Sequence, residues 1–123
     1  MFTLGSTLIF VTDVVRAKEW YEKMLGMNTV EFRPPEFLEM TLGDAIFNIE
    51  TFNEKRAAGF KEARVGGRHT TVFTVANIKE SVESLRKKGC AIIVEPVQQF
   101  WGGWNAVIAD PDGNEFVLDQ DSL

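Results

Sequence analysis

The chain offers one imidazole, His69, and one thiol, Cys90. A single cysteine makes neither an intrachain disulfide nor a thiolate metal cage. A single histidine excludes any mechanism that needs two imidazoles, whether as metal ligands or as a base and its partner. Carboxylates are plentiful, but a pair such as Glu50 with Glu115 does acid–base chemistry only where burial raises one of the two pKa values. Flat apolar rings are the other resource. Phe100-Trp101-Gly102-Gly103-Trp104 gathers three aromatics around two glycines, and such rings stack on planar ligands at modest entropy cost. Trp101, followed by Gly102, is expected at a loop tip; Trp104 serves either a ligand or a core or dimer contact. There is no Gly-rich phosphate loop with its lysine, no G-x-S-x-G elbow and no Cys–His pair at a telling spacing. Cys90, just after Gly89, reads as a small buried hydrophobe, and Glu95 beside Pro96 as a solvated edge residue.

These groups are carried by 123 residues, 45% hydrophobic and 25% charged, with ten Phe, three Trp and one Tyr. That is enough for one globular domain and too apolar for intrinsic disorder. The net charge of -5 argues against nucleic acid, whose binding draws on Lys and Arg. No apolar run approaches the roughly 20 residues that span a bilayer. The opening residues lack a basic n-region, so the expectation is a cytoplasmic protein without nucleic-acid or membrane partners.

The elements that position the candidates repeat. Val11-Thr12-Asp13-Val14 recurs as Val75-Ala76-Asn77-Ile78, and each leads into an amphipathic segment, Arg16 to Gly26 and Glu80 to Gly89. Asp13 and Asn77 suit helix N-caps, and Gly26 and Gly89 suit the left-handed residue that closes a helix. Strands are expected before each helix, at Thr7 to Val11 and Thr70 to Val75. Three more follow each: Thr29 to Phe32, Phe37 to Leu42 and Ala45 to Thr51, then Ala91 to Val97, Trp104 to Ala109 and Glu115 to Asp119. Turn residues separate them, above all Pro34-Pro35 and Asp110-Pro111-Asp112-Gly113. The pattern is α+β, two βαβββ modules within one domain of residues 1–123: module 1 about 1–52, a linker about 53–68, module 2 about 69–123. The linker holds five basic residues against two acidic and reads as a solvated connection, with a short helix ending near Arg64. As a flap, it would offer Arg64 or Arg68 to an anion.

The run Val11-Thr12-Asp13-Val14 into Trp20-Tyr21 and Leu25-Gly26-Met27 resembles the opening motif of the glyoxalase, bleomycin-resistance and extradiol-dioxygenase (vicinal oxygen chelate) superfamily. Asp110-Pro111-Asp112-Gly113-Asn114-Glu115 resembles its closing motif. The resemblance implies paired βαβββ modules whose mixed sheets curl into an open cup, often as a homodimer, with the ligand inside. It also implies up to four metal ligands, usually His, Glu or Gln, from the first and last strands of each module. Carried over, those positions fall on Ser6, Asn48, Thr70 and Val117. None is His, Glu or Asp, and hydroxyls and amides are weak ligands for transition metals. The expectation is a metal-free member without a cofactor. A bulge would be needed to bring His69 into the cup beside Glu50 or Glu115. Without one, His69 is a strand-edge residue bonded to the loop.

Strand parity supplies the cup lining. Leu8 and Phe10 go with Ser6, Ile46 and Glu50 with Asn48, Val72 and Thr74 with Thr70, and Glu115 and Asp119 with Val117. The opposite set, Ile9, Val11, Phe47, Ile49, Val75, Phe116 and Leu118, is expected beneath the helices with Trp20, Leu25, Val82 and Leu85. The candidate ligand contacts are Phe10, Phe37, Asn48, Glu50, Thr70, Trp101, Trp104 and Glu115. The expected function is sequestration of an aromatic or amphipathic small molecule, such as an antibiotic. Glu50, Glu115 and Asp119 suit a cationic or hydroxyl-bearing one. The alternative is a lyase, isomerase or dioxygenase with an atypical His69–carboxylate site or a carboxylate base. A third reading, a partner-binding module, predicts that Trp101→Ala alters assembly only.

Overall fold

A computed structural model describes residues 1–53 and 64–121. Within them the element order is β1 (Thr7–Val11), α1 (Val14–Leu25), β2 (Asn28–Arg33), β3 (Phe37–Leu42), β4 (Ala45–Thr51), β5 (Gly67–Thr74), α2 (Ile78–Lys87), β6 (Ala91–Gln98), β7 (Trp104–Ala109) and β8 (Asn114–Gln120). This is the expected βαβββ order, twice. The chain separates into two compact units, Met1–Gly66 and Gly67–Leu123. Residues 54–63, with most of the basic linker and the helix expected there, lie outside the described residues.

In the first unit the strands lie in the order β1-β4-β3-β2, with β1 parallel to β4 and the other pairs antiparallel. The Asp13 carboxylate accepts the backbone N–H groups of Val15 and Arg16 at 2.9 and 3.4 Å, which starts α1. Gly26, at φ 67°, ends it in the left-handed region that a side chain disfavours. Val14, Ala17, Trp20 and Tyr21 form its buried stripe, and Ile9, Val11, Leu38, Met40, Phe47 and Ile49 are the buried side chains on one face of the sheet. Each large side chain so buried contributes about 1.5–3 kcal/mol. Leu25 is only half-buried, and Tyr21, fully enclosed, takes the core place expected of it.

The second unit has the order β5-β8-β7-β6, again with the first strand parallel to the last. Asn77 caps α2 by accepting the Glu80 N–H at 3.1 Å. Ile78, Val82 and Leu85 are buried, as are Ala106, Ile108, Phe116 and Leu118. The strand β5 begins at Gly67, earlier than the expected Thr70, and Val75 falls just outside it, half-buried. Its register with β8 is interrupted: Arg68 pairs Glu115, and Val72 pairs Val117. Three residues on β5 therefore face one on β8, two more than a regular ladder allows. An even insertion leaves the alternation of faces intact on both sides of the bulge.

Candidate functional site

The helix-free face of the first sheet is ordered in rows by strand register. One row runs Phe10, Glu50, Phe37, Arg33 across β1, β4, β3 and β2. The next runs Leu8, Asn48, Glu39, Glu31. Directly opposed glutamates repel by a few tenths of a kcal/mol to about 1 kcal/mol. Arg33 relieves this by pairing with Glu31 at 3.0 Å while lying over the Phe37 ring, 4.8 Å from its centroid.

Glu50 and Phe37, two of the candidate contacts, line a pocket of about 430 Å³ with Arg33, Pro34, Glu36 and Thr51. The β2–β3 turn forms its rim and is tied to the end of β4: the Thr51 N–H donates to the Glu36 carbonyl at 3.0 Å, and the Thr51 hydroxyl to that of Pro35. Phe10 stands beside Glu50 in register but is 7% exposed and packs edge-on against Phe52, at 5.7 Å. Arg33 and Glu36 were not among the sequence candidates. Their signal was the hairpin itself, since Arg33 and Phe37 close the Pro34-Pro35 turn as paired residues.

The first pair of positions implied by the metal-binding resemblance does converge. The Asn48 amide donates to the Ser6 hydroxyl oxygen at 2.9 Å, and the other amide atom, Oδ1, is buried with no partner among the described residues. In the second unit Thr70 is exposed and falls inside the β5 bulge, whereas Val117 pairs with Val72. Two hydroxyls, an amide and a valine do not fit a transition-metal ion. No group of three His, Cys, Asp or Glu side chains suited to a metal occurs among the described residues.

His69 is on the other side of its sheet. Its ring stacks on Phe116, centroids 5.2 Å apart, and its Nε2 meets Asn114 Oδ1 at 2.9 Å. Asn114 Nδ2 donates to Asp110 Oδ2 at 2.8 Å, so Oδ1 is the acceptor and His69 Nε2 the donor. The bulge that sequence reasoning required is present, but its even length keeps His69 with Asn114 and Phe116, away from Glu115. Glu115 accepts from Arg68 at 3.1 Å, and Asp119 from the Asn105 amide at 3.2 Å. Thus Arg68 is paired within its own sheet.

The aromatic turn splits. Trp101 is 56% exposed, at the turn between β6 and β7, and meets the nearly fully exposed Phe100 edge-on at 4.9 Å. Trp104 shares its side of β7 with Ala106 and Ile108 and lies under the Lys79 ammonium, 4.5 Å from the ring centroid. The structure therefore places it on the helix-bearing face with Ile78 and Gln120, apart from Glu115 and Thr70. Cys90 is buried, and burial pushes its thiol up to about 11. Glu95 is exposed and pairs with Arg86.

Residues 3–118 match the family profile described as the Glyoxalase/Bleomycin resistance protein/Dioxygenase superfamily. No curated protein matches the sequence. Among solved structures, the chain is similar to a member of that superfamily from Sphaerobacter thermophilus (TM-score 0.78, 22% identity, 98% of each chain covered). It is also similar to lactoylglutathione lyase from Agrobacterium tumefaciens (TM-score 0.78, 14% identity, 98% of this chain and 94% of that one). TioX from Micromonospora sp. ML1 is a third (TM-score 0.72, 16% identity, 95% and 98%). At these identities the likeness establishes the fold.

Proposed function

The chain belongs to the glyoxalase/bleomycin resistance protein/dioxygenase superfamily, and from that premise we propose that it is a metal-independent small-molecule-binding protein. It resembles bleomycin-resistance proteins in this reading and sequesters an aromatic or amphipathic compound as a cytoplasmic homodimer. The observation that carries the proposal is the state of the ligand positions. Ser6 and Asn48 still meet, but they bond to each other at 2.9 Å, and Val117 brings no donor atom. The helix-free face of the first sheet has mixed polarity with a ring at its edge, a composition suited to holding a ligand. Phe37 and Glu50 are the contacts supported most directly, because they share one pocket. Trp101 is a second, exposed aromatic contact.

The catalytic alternative asks for His69 among carboxylates. Its partner in the structure is the Asn114 amide, with Phe116 against its ring. Two measurements test the proposal together. Metal analysis of purified protein is expected to find no stoichiometric Zn, Ni, Mn or Fe, and a thermal-shift screen of planar antibiotics and metabolites is expected to find a stabilising compound. Stoichiometric metal that is lost with Asn48→Ala would overturn the reading.

A further inference from the structure

We propose that the pocket between the β2–β3 turn and the end of β4 selects an organic cation, and that Arg33 is the chain's own cation resting on the ring a ligand would use. This rests on the binding reading above and narrows it. The pocket-lining carboxylates are Glu50, paired in register with Phe37, and Glu36, next to Phe37 in the chain. With Glu31 and Glu39 on the adjoining row, that face and its rim carry four carboxylates against one guanidinium, Arg33, among the described residues. Clefts lined by one sign of charge concentrate ligands of the opposite sign. The Phe37 ring adds its negative π-face, and the structure shows a cation on it: the Arg33 guanidinium at 4.8 Å. Arg33 is two-thirds exposed, so moving it off the ring costs little.

The arrangement makes two substitutions act in opposite directions. Thioflavin T, a planar organic cation, and 1-anilinonaphthalene-8-sulfonate, a planar anion, are titrated into the 123-residue chain and followed by fluorescence. Circular dichroism melts verify that each variant is folded. Thioflavin T is expected to bind the parent chain more tightly than the anion. Glu50→Gln should weaken it about two- to fivefold, and Arg33→Ala, which removes the internal competitor, should tighten it by a similar factor. Tighter binding of the anion, or weakening by Arg33→Ala, would overturn the cation assignment while leaving the pocket as the binding place. Binding of neither dye, or binding indifferent to Phe37→Ala, would sink the underlying binding reading as well.

Discussion

Asn114 is fully buried and joins two strands through its side chain, accepting from His69 and donating to Asp110. Asp110 in turn accepts the backbone N–H groups of Asp112 and Asn114, both at 2.9 Å, which shapes the turn before β8. Hydrogen bonds to a charged acceptor contribute roughly 1.5–3 kcal/mol, and orphaning a buried group costs a similar amount. Asn114→Ala is therefore expected to lower unfolding stability by about 2–4 kcal/mol in urea titrations. A loss under about 0.5 kcal/mol would mean the network is dispensable. Cys90 gives a pH-dependent counterpart. Its thiol rises from 9.0 unfolded to about 11 in the fold, because burial penalises the thiolate. The folded state thus holds the proton longer, and this contribution to stability is intact below pH 9 and lost as pH climbs from 9 to 11. Stability measured across that window should fall less steeply for Cys90→Ala than for the parent chain. Identical slopes would contradict the assignment.

Gly103 governs the aromatic turn between β6 and β7. A Cβ built there would lie 2.6 Å from Trp101 Nε1 and 3.2 Å from the Gln120 carbonyl oxygen. Only a missing side chain lets the indole rest there, so Gly103→Ala should shift the Trp101 ring while leaving the strands in place. Tryptophan emission should change with little loss of far-UV dichroism; an unchanged spectrum would show that the indole does not lie over Gly103. The elements were largely legible in the sequence, because the punctuation is strong: β3, β4 and β7 begin and end where alternation and turn residues placed them. Two features of the candidate site were not. On β7 both sides are mostly apolar, Trp104, Ala106 and Ile108 on one and Val107 and Ala109 with Asn105 on the other, so alternation is a weak guide to which side Trp104 joins. On β5 the extension to Gly67 and the bulge have no compositional signature. Gly66-Gly67 reads as a linker, and only the pairing of Gly67 with Asn114 and of Arg68 with Glu115 makes strand from Gly67 onward.

At the scale of the molecule, the net charge of -5 is part of the binding argument. An excess of carboxylates attracts a cation before any contact forms, and this long-range share is screened by salt. The Debye length falls from about 30 Å at 0.01 M to about 8 Å at 0.15 M ionic strength. Thioflavin T affinity should drop several-fold across that range, with most of the change in the association rate measured by stopped flow. Salt-independent association would place recognition in short-range contacts alone. The repeat has a further meaning at this scale. Two units of one design have diverged in chemistry. The first carries Glu31, Glu39 and Glu50 on its helix-free face, whereas the middle row of the second is Val72, Val117, Val107 and Val94.

The bulge in β5 gives that strand something like a reading frame. Two surplus residues keep it in phase, and one would put it out. Deleting Thr71 leaves Val72–Thr74 anchored against Val117–Asp119 and turns the segment ahead of it over, carrying His69 to the side of Glu115 and Arg68 to the side of Phe116. The imidazole signals in an NMR spectrum would report the exchange of an amide neighbour for a carboxylate. A lineage of such proteins can thus pass between an inert histidine and an available one by the loss of a single codon, without any change in the residues that do chemistry.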